Sequence, residues 1–179
     1  SRTILASAID ASVLETAIDN NVPIIYPSGC SLYAPGSGQA LGEDAALQDS
    51  FASPYLAAKR DGEQAVLAYE QGCVLRIAGL IGPGVPKTAV AGRFVDAAQN
   101  DETIDLWGDG RREQSFVDLR DIAHALLACV DKQARGVYNI AADAPTSMRD
   151  LADMAVAVVG KGQWTLSGQA DPQNGTLAR

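Results

Sequence analysis

Tyr55 and Lys59 stand four residues apart in the stretch Ser53-Pro54-Tyr55-Leu56-Ala57-Ala58-Lys59. On a helix that spacing puts both side chains on one face, about one turn apart. A phenol titrates near about 10 in water, roughly three units too high for a base at neutral pH. An ammonium beside it stabilises the phenolate and brings proton transfer within reach. The pair therefore reads as a candidate proton-transfer tyrosine with a lysine that lowers its pKa. The same spacing occurs on ordinary amphipathic helices with solvated side chains, so the surrounding segments have to decide.

The segments around the pair define what must hold it. Ser53 and Pro54 are a favoured N-cap and first helical position, and predict a helix through Tyr55, Lys59 and Glu63 to about Gln71-Gly72. Before it, Pro23-Ile24-Ile25-Tyr26 is a short apolar run that ends in Pro27-Ser28-Gly29, as a buried strand feeding a loop does. Cys73-Val74-Leu75-Arg76-Ile77 is the next strand. Strand, crossover helix and strand make a βαβ unit, so the fold class expected is α/β with a parallel sheet. Upstream, apolar residues from Ile4 to Ile18 recur at helical spacing, and residues 34–50 read as a long loop over a strand end.

Downstream, Gly82-Pro83-Gly84 breaks the chain. A helix from about Thr88 to Gln99 is expected, then a short strand Ile104–Trp107 and a turn at Gly108-Asp109-Gly110. Gln114–Val117 is extended and leads into a helix from Leu119 to Val130. Val137–Ile140 is another strand, and Thr146 or Ser147 caps a last helix that stops at Gly160. After Trp164 no pattern is visible.

Composition narrows the function. The chain has 179 residues, 14 basic against 22 acidic, a net charge of −8 and 47% apolar residues. The acidic balance argues against nucleic acid or an anionic membrane as the main partner. No apolar run approaches the roughly 20 residues that cross a bilayer. Cys30, Cys73 and Cys129 lack C-x-x-C spacing, which fits a reducing, cytoplasmic compartment and no metal site. His124, the only histidine, sits in an apolar helical stretch. A Ser-His-Asp hydrolase is therefore hard to build, and Ser28-Gly29 lacks the G-x-S-x-G elbow. The opening Ser1-Arg2-Thr3 shows no leader pattern and is not expected to be the natural start.

Taken in order, Ser28–Tyr33, Ser53–Lys59, Leu75–Gly84, Gly108–Ala123 and Tyr138–Ile140 resemble the extended short-chain dehydrogenase/reductase family, the NAD-dependent epimerase/dehydratase group. The resemblance implies part of a Rossmann-type doubly wound parallel sheet plus a small C-terminal α/β substrate lobe. Residues 1–82 would be the later half of the nucleotide-binding domain and 83–179 mainly the substrate lobe, with some segments returning to the sheet. It also implies NAD or NADP as cofactor, and a small-molecule substrate, sugar or nucleotide-sugar, that reacts at a carbonyl/hydroxyl carbon. A homodimer through the Tyr55–Lys59 helix and the helix before it is a further implication. Tyr55 would move the proton; Lys59 would lower its pKa and bind the nicotinamide ribose. Pro27, Ala78 and Leu80 would also line the cofactor, while Gly29, Gly79, Arg112 and Gln114 would face the substrate.

Three positions depart from the pattern the family implies. Gly29 stands where a Ser or Thr polarises the reacting oxygen. Ser28 is the first substitute, although strand neighbours face opposite ways, and Ser31 is a looser one. Gly79 replaces an asparagine, and Gln114 replaces a diphosphate-gripping arginine, with Arg111 and Arg112 close by. The front of the family's fold, a strand with a glycine-rich turn that cradles the dinucleotide pyrophosphate, is not in this chain. Gly36–Gly42 has the wrong spacing for it and reads as a flexible loop. The chain is thus expected to be a fragment carrying the catalytic and substrate half. The alternative is a non-catalytic nucleotide-sensing or protein-binding relative, for which Gly29 is the main support.

Overall fold

The structure, a computed structural model, describes residues 12–34, 41–51, 53–171 and 177. The early part of the first predicted helix and residues 35–40 of the glycine-rich loop lie outside them. Residues 12–19 are helical (α1), followed by β1 (Ile24–Gly29), a 3-10 turn (Cys30–Leu32), α2 (Pro54–Leu67), β2 (Gly72–Ile77) and β3 (Gly79–Ile81). Then come α3 (Val90–Gln99), β4 (Thr103–Leu106), β5 (Glu113–Gln114), β6 (Phe116–Asp118) and α4 (Leu119–Asp131). The last elements are β7 (Gly136–Ile140), β8 (Thr146–Ser147), α5 (Met148–Val159) and β9 (Gln163–Leu166).

The α/β expectation holds. A parallel sheet runs in the order β1-β2-β7, with Ser28 opposite Arg76 and Arg76 opposite Asn139. Its central strand is buried on both faces; Cys73, Val74 and Leu75 are fully buried. Tyr26, Val66 and Val74 pack under α2, whereas Cys30, Tyr33, Ala78 and Val117 form a second cluster. A third cluster joins Ile104, Leu106, Phe116, Met148, Leu151 and Ala152.

Helix ends follow local chemistry. Asp118 caps α4 by accepting from Arg120 N at 2.8 Å, and Ser147 Oγ caps α5 by accepting from Asp150 N at 3.1 Å. Gly160 ends α5 in the left-handed region, φ 78°, as expected.

Three elements differ from the sequence expectation. α2 stops at Leu67, not near Gln71, because the chain must fold back: Gly72 lies so close to Val66 that a Cβ there would stand 1.9 Å from the Val66 carbonyl oxygen. Gly79–Ile81 is a strand paired in parallel with β6. Gln163–Leu166, which runs into the stretch that showed no pattern, pairs in parallel with β4.

Candidate active site

Proline at the first position and Ser53 at the N-cap start α2 directly before Tyr55. Lys59 Nζ donates to Pro27 O at 3.2 Å and lies 4.5 Å from the Tyr26 ring centroid and 6.0 Å from that of Tyr55. A Cβ at Gly62 would stand 2.3 Å from Tyr26 Oη. Moving back along α2 from Gly62 to Lys59 therefore moves forward along β1 from Tyr26 to Pro27, so helix and strand run antiparallel. The turn from Lys59 to Tyr55 rises about 6 Å, roughly two strand residues. That brings Tyr55 to the carboxyl end of β1, where its side chain is 60% exposed.

Ser28 and Tyr26 share the buried face of β1 beneath α2, while Pro27 is exposed on the other. Ser28 Oγ is buried and has no hydrogen-bond partner among the described residues. Gly29 has φ −144° and ψ 144°, ordinary extended backbone. A Cβ at position 29 would stand in tight contact with Ser31 Oγ, at 3.3 Å.

Ala78 and Leu80 follow the end of β2 and pack in the cluster around Cys30, Tyr33 and Val117. Gly79 is close-packed: a Cβ there would meet Phe116 Cδ1 at 2.7 Å and Gln114 Nε2 at 2.8 Å. The Gln114 carboxamide thus reaches the place that a larger residue 79 would need. Arg112 is elsewhere. It pairs with Asp171 at 2.8 Å in a cavity of about 350 Å3 lined also by Arg93, Phe94, Leu106 and Trp107. Pro27, Ser28 and Gly29 close β1, Lys59 rests on Pro27 O with Tyr55 one turn away, Gly79 and Gln114 meet each other, and Arg112 lines a separate hollow.

The sequence reading missed the polar hub beneath this site. Arg76 Nη2 and Nε donate to the Glu63 carboxylate at 2.8 and 3.2 Å. Arg76 Nη1 donates to Tyr33 Oη and to Glu43 O, both at 3.1 Å. Tyr33 Oη in turn donates to Asn139 Oδ1 at 2.6 Å. Burial pushes the Tyr33 phenol above its ordinary value, against the Arg76 hydrogen bond and charge. The only sequence signal was spacing: Glu63 follows Lys59 by one more helical turn.

An α/β chain with parallel strands joined through helices has a Rossmann-like fold. Residues 6–141 match the NAD dependent epimerase/dehydratase family, and the chain belongs to it. It is 30% identical over 92 residues to a dTDP-4-dehydro-6-deoxy-D-allose reductase of Streptomyces, covering 49% of this chain and 28% of that protein. Against the UDP-N-acetyl-alpha-D-glucosaminuronate decarboxylase of Bacillus cytotoxicus the identity is 24% over 152 residues, 79% of this chain and 47% of the relative. The fold is similar to that of the UDP-glucose 4-epimerase of Thermus thermophilus in complex with NAD, with a TM-score of 0.79 at 18% identity, over 95% of this chain and 60% of that one. The chain thus spans less than half the length of these curated relatives. Among the described residues no helix is long and apolar enough to cross a membrane, and no cluster of His, Cys, Asp or Glu could hold a metal.

Proposed function

We propose that this chain carries the catalytic and substrate-binding part of an NAD(P)-dependent enzyme that oxidises, reduces or epimerises a hydroxyl-bearing carbon of a nucleotide-sugar. The observation that carries the reading is the Lys59 ammonium resting on Pro27 O near the carboxyl end of β1, with Tyr55 one turn away on the same helix. Parallel sheets bind ligands at that end. The relatives named above act on dTDP- and UDP-linked sugars.

In this reading NAD(P) accepts or returns the hydride. Tyr55 takes or gives the hydroxyl proton, with Lys59 one turn away on the same helix. Lys59, Pro27, Ala78 and Leu80 would hold the nicotinamide end. Gly29, Gly79 and Gln114 would face the sugar. The cavity holding Arg112 and Arg93 beside Trp107 and Phe94 suits the nucleotide: guanidinium for phosphate, flat rings for the base. Residues 1–82 would serve the cofactor and 83–179 mainly the substrate. Exposed Val13, Ile18 and Leu67 on α1 and α2 are consistent with a homodimer through those helices.

The test is turnover of UDP- and dTDP-hexoses by the natural full-length protein with NAD or NADP. Tyr55→Phe should lower kcat by about 10²-fold or more while thermal stability stays put, because the Tyr55 side chain is largely exposed. Undiminished turnover in that variant removes Tyr55 from the reaction.

A further inference from the structure

We infer that Ser31 supplies the hydroxyl that position 29 lacks, hydrogen-bonding the substrate's reacting oxygen beside Tyr55. The inference rests on the oxidoreductase reading above. Nothing in the backbone demands glycine at position 29, since φ −144° and ψ 144° suit any residue. What borders the side-chain space is a hydroxyl: Ser31 Oγ is the nearest atom to that Cβ position, at 3.3 Å, ahead of Ile77 O at 3.9 Å. A side chain built at 29 would thus be in tight contact with the Ser31 hydroxyl.

The turn that carries this hydroxyl is held in place. Ser31 is exposed, but it sits on the 3-10 turn between Cys30 and Leu32, which are 4% and 0% exposed. Cys30 Sγ donates to Arg76 O at 3.1 Å, and Gln48 N donates to Leu32 O at 2.9 Å. Gln48 Nε2 donates to Ser31 O itself at 2.8 Å. The backbone that carries this hydroxyl is held on both flanks, and the residue is open to solvent just past the carboxyl end of β1, the end toward which the antiparallel α2 carries Tyr55. Ser28 does not offer this, because its side chain lies on the buried face under α2.

The tight contact supplies the experiment. In the natural full-length protein with NAD(P) and a UDP- or dTDP-hexose, Ser31→Ala should lower kcat by roughly 10²-fold, as loss of one preorganised hydrogen-bond donor does, with KM changed far less. Ser31→Thr, which keeps the hydroxyl, should retain most of the rate. Adding Gly29→Ser to Ser31→Ala should recover it, since removing Ser31 Oγ relieves the contact with the new side chain. Turnover that needs Tyr55 but is unchanged in Ser31→Ala overturns the Ser31 inference alone. So does a loss in Ser31→Ala that is matched by Ser31→Thr and not repaired by the added Gly29→Ser, which marks a structural role. If the wild-type protein turns over none of these sugars, the oxidoreductase reading falls and the inference with it.

Discussion

Glu63 and Arg76 form a forked ion pair in the core between α2 and β2: Nη2 to Oε2 is 2.8 Å, and Nε lies 3.2 Å from each carboxylate oxygen. Glu63 is 1% and Arg76 5% exposed. Since Glu63 follows Lys59 by one turn on the same helix face, the pair sets the rotation of α2 and so the direction in which Tyr55 and Lys59 point. Breaking one side leaves a buried charge unpaired, which costs about 3–5 kcal/mol, whereas removing both sides together is far less damaging. Arg76→Met should therefore destabilise the protein by that order in urea unfolding, and Glu63→Met added to it should restore much of the loss. Equal losses in single and double variants would show that the charge pair is not what the core depends on.

The fold-back after α2 depends on Gly72. Its amide donates to Tyr69 O at 2.9 Å, and a Cβ would collide with the Val66 carbonyl. The obstacle is backbone, so no side chain can swing away. Gly72→Ala should lower stability by about 1–3 kcal/mol, the usual range for overpacking. A urea midpoint equal to that of the wild type would contradict the contact.

Asp118 gives α4 its acid sensitivity. The hydrogen bonds from the Arg120 side chain and backbone hold its carboxyl down at about 2. An unfolded aspartate titrates near about 3.9. Because the folded value is the lower one, the cap contributes fully above about pH 4 and is lost as pH falls toward 2. Asp118→Asn keeps a capping acceptor without the charge. Its thermal midpoint should fall less steeply than that of the wild type between pH 5 and 2; parallel curves would refute the assignment.

The thiols should separate by reactivity. Burial pushes both Cys30 and Cys73 up to about 12, and for Cys30 the Arg76 charge only partly opposes it. Cys129 is only partly buried. Iodoacetamide at pH 8 should label Cys129 first in the native protein, with Cys30 and Cys73 following only in urea, since the thiolate is the reactive form. Mass spectrometry of the labelled peptides reads this directly, and Cys30 reacting as fast as Cys129 would disprove it.

Much of the scaffold was legible because it is written locally. Ser53-Pro54 announces the start of α2, Gly160 the end of α5, and the apolar run at Cys73–Ile77 a covered strand. β9 was not legible, since Gln163–Leu166 becomes a strand only when β4 lies beside it. Gly79 and Gln114 each departed from an expected residue in sequence; in space they fit one another.

By itself, the order of short segments determined the α/β class and family resemblance, and the spacing of Tyr55 and Lys59 determined that both share a helix face. Those properties depend on periodicity and caps, which neighbouring residues enforce. Only the tertiary structure decided that Lys59 rests on Pro27, that Arg76 ties α2 to β2 and Tyr33, and that the Ser31 hydroxyl borders Gly29. These contacts join residues from different elements, and strand pairing and core packing, rather than local propensity, bring them within reach.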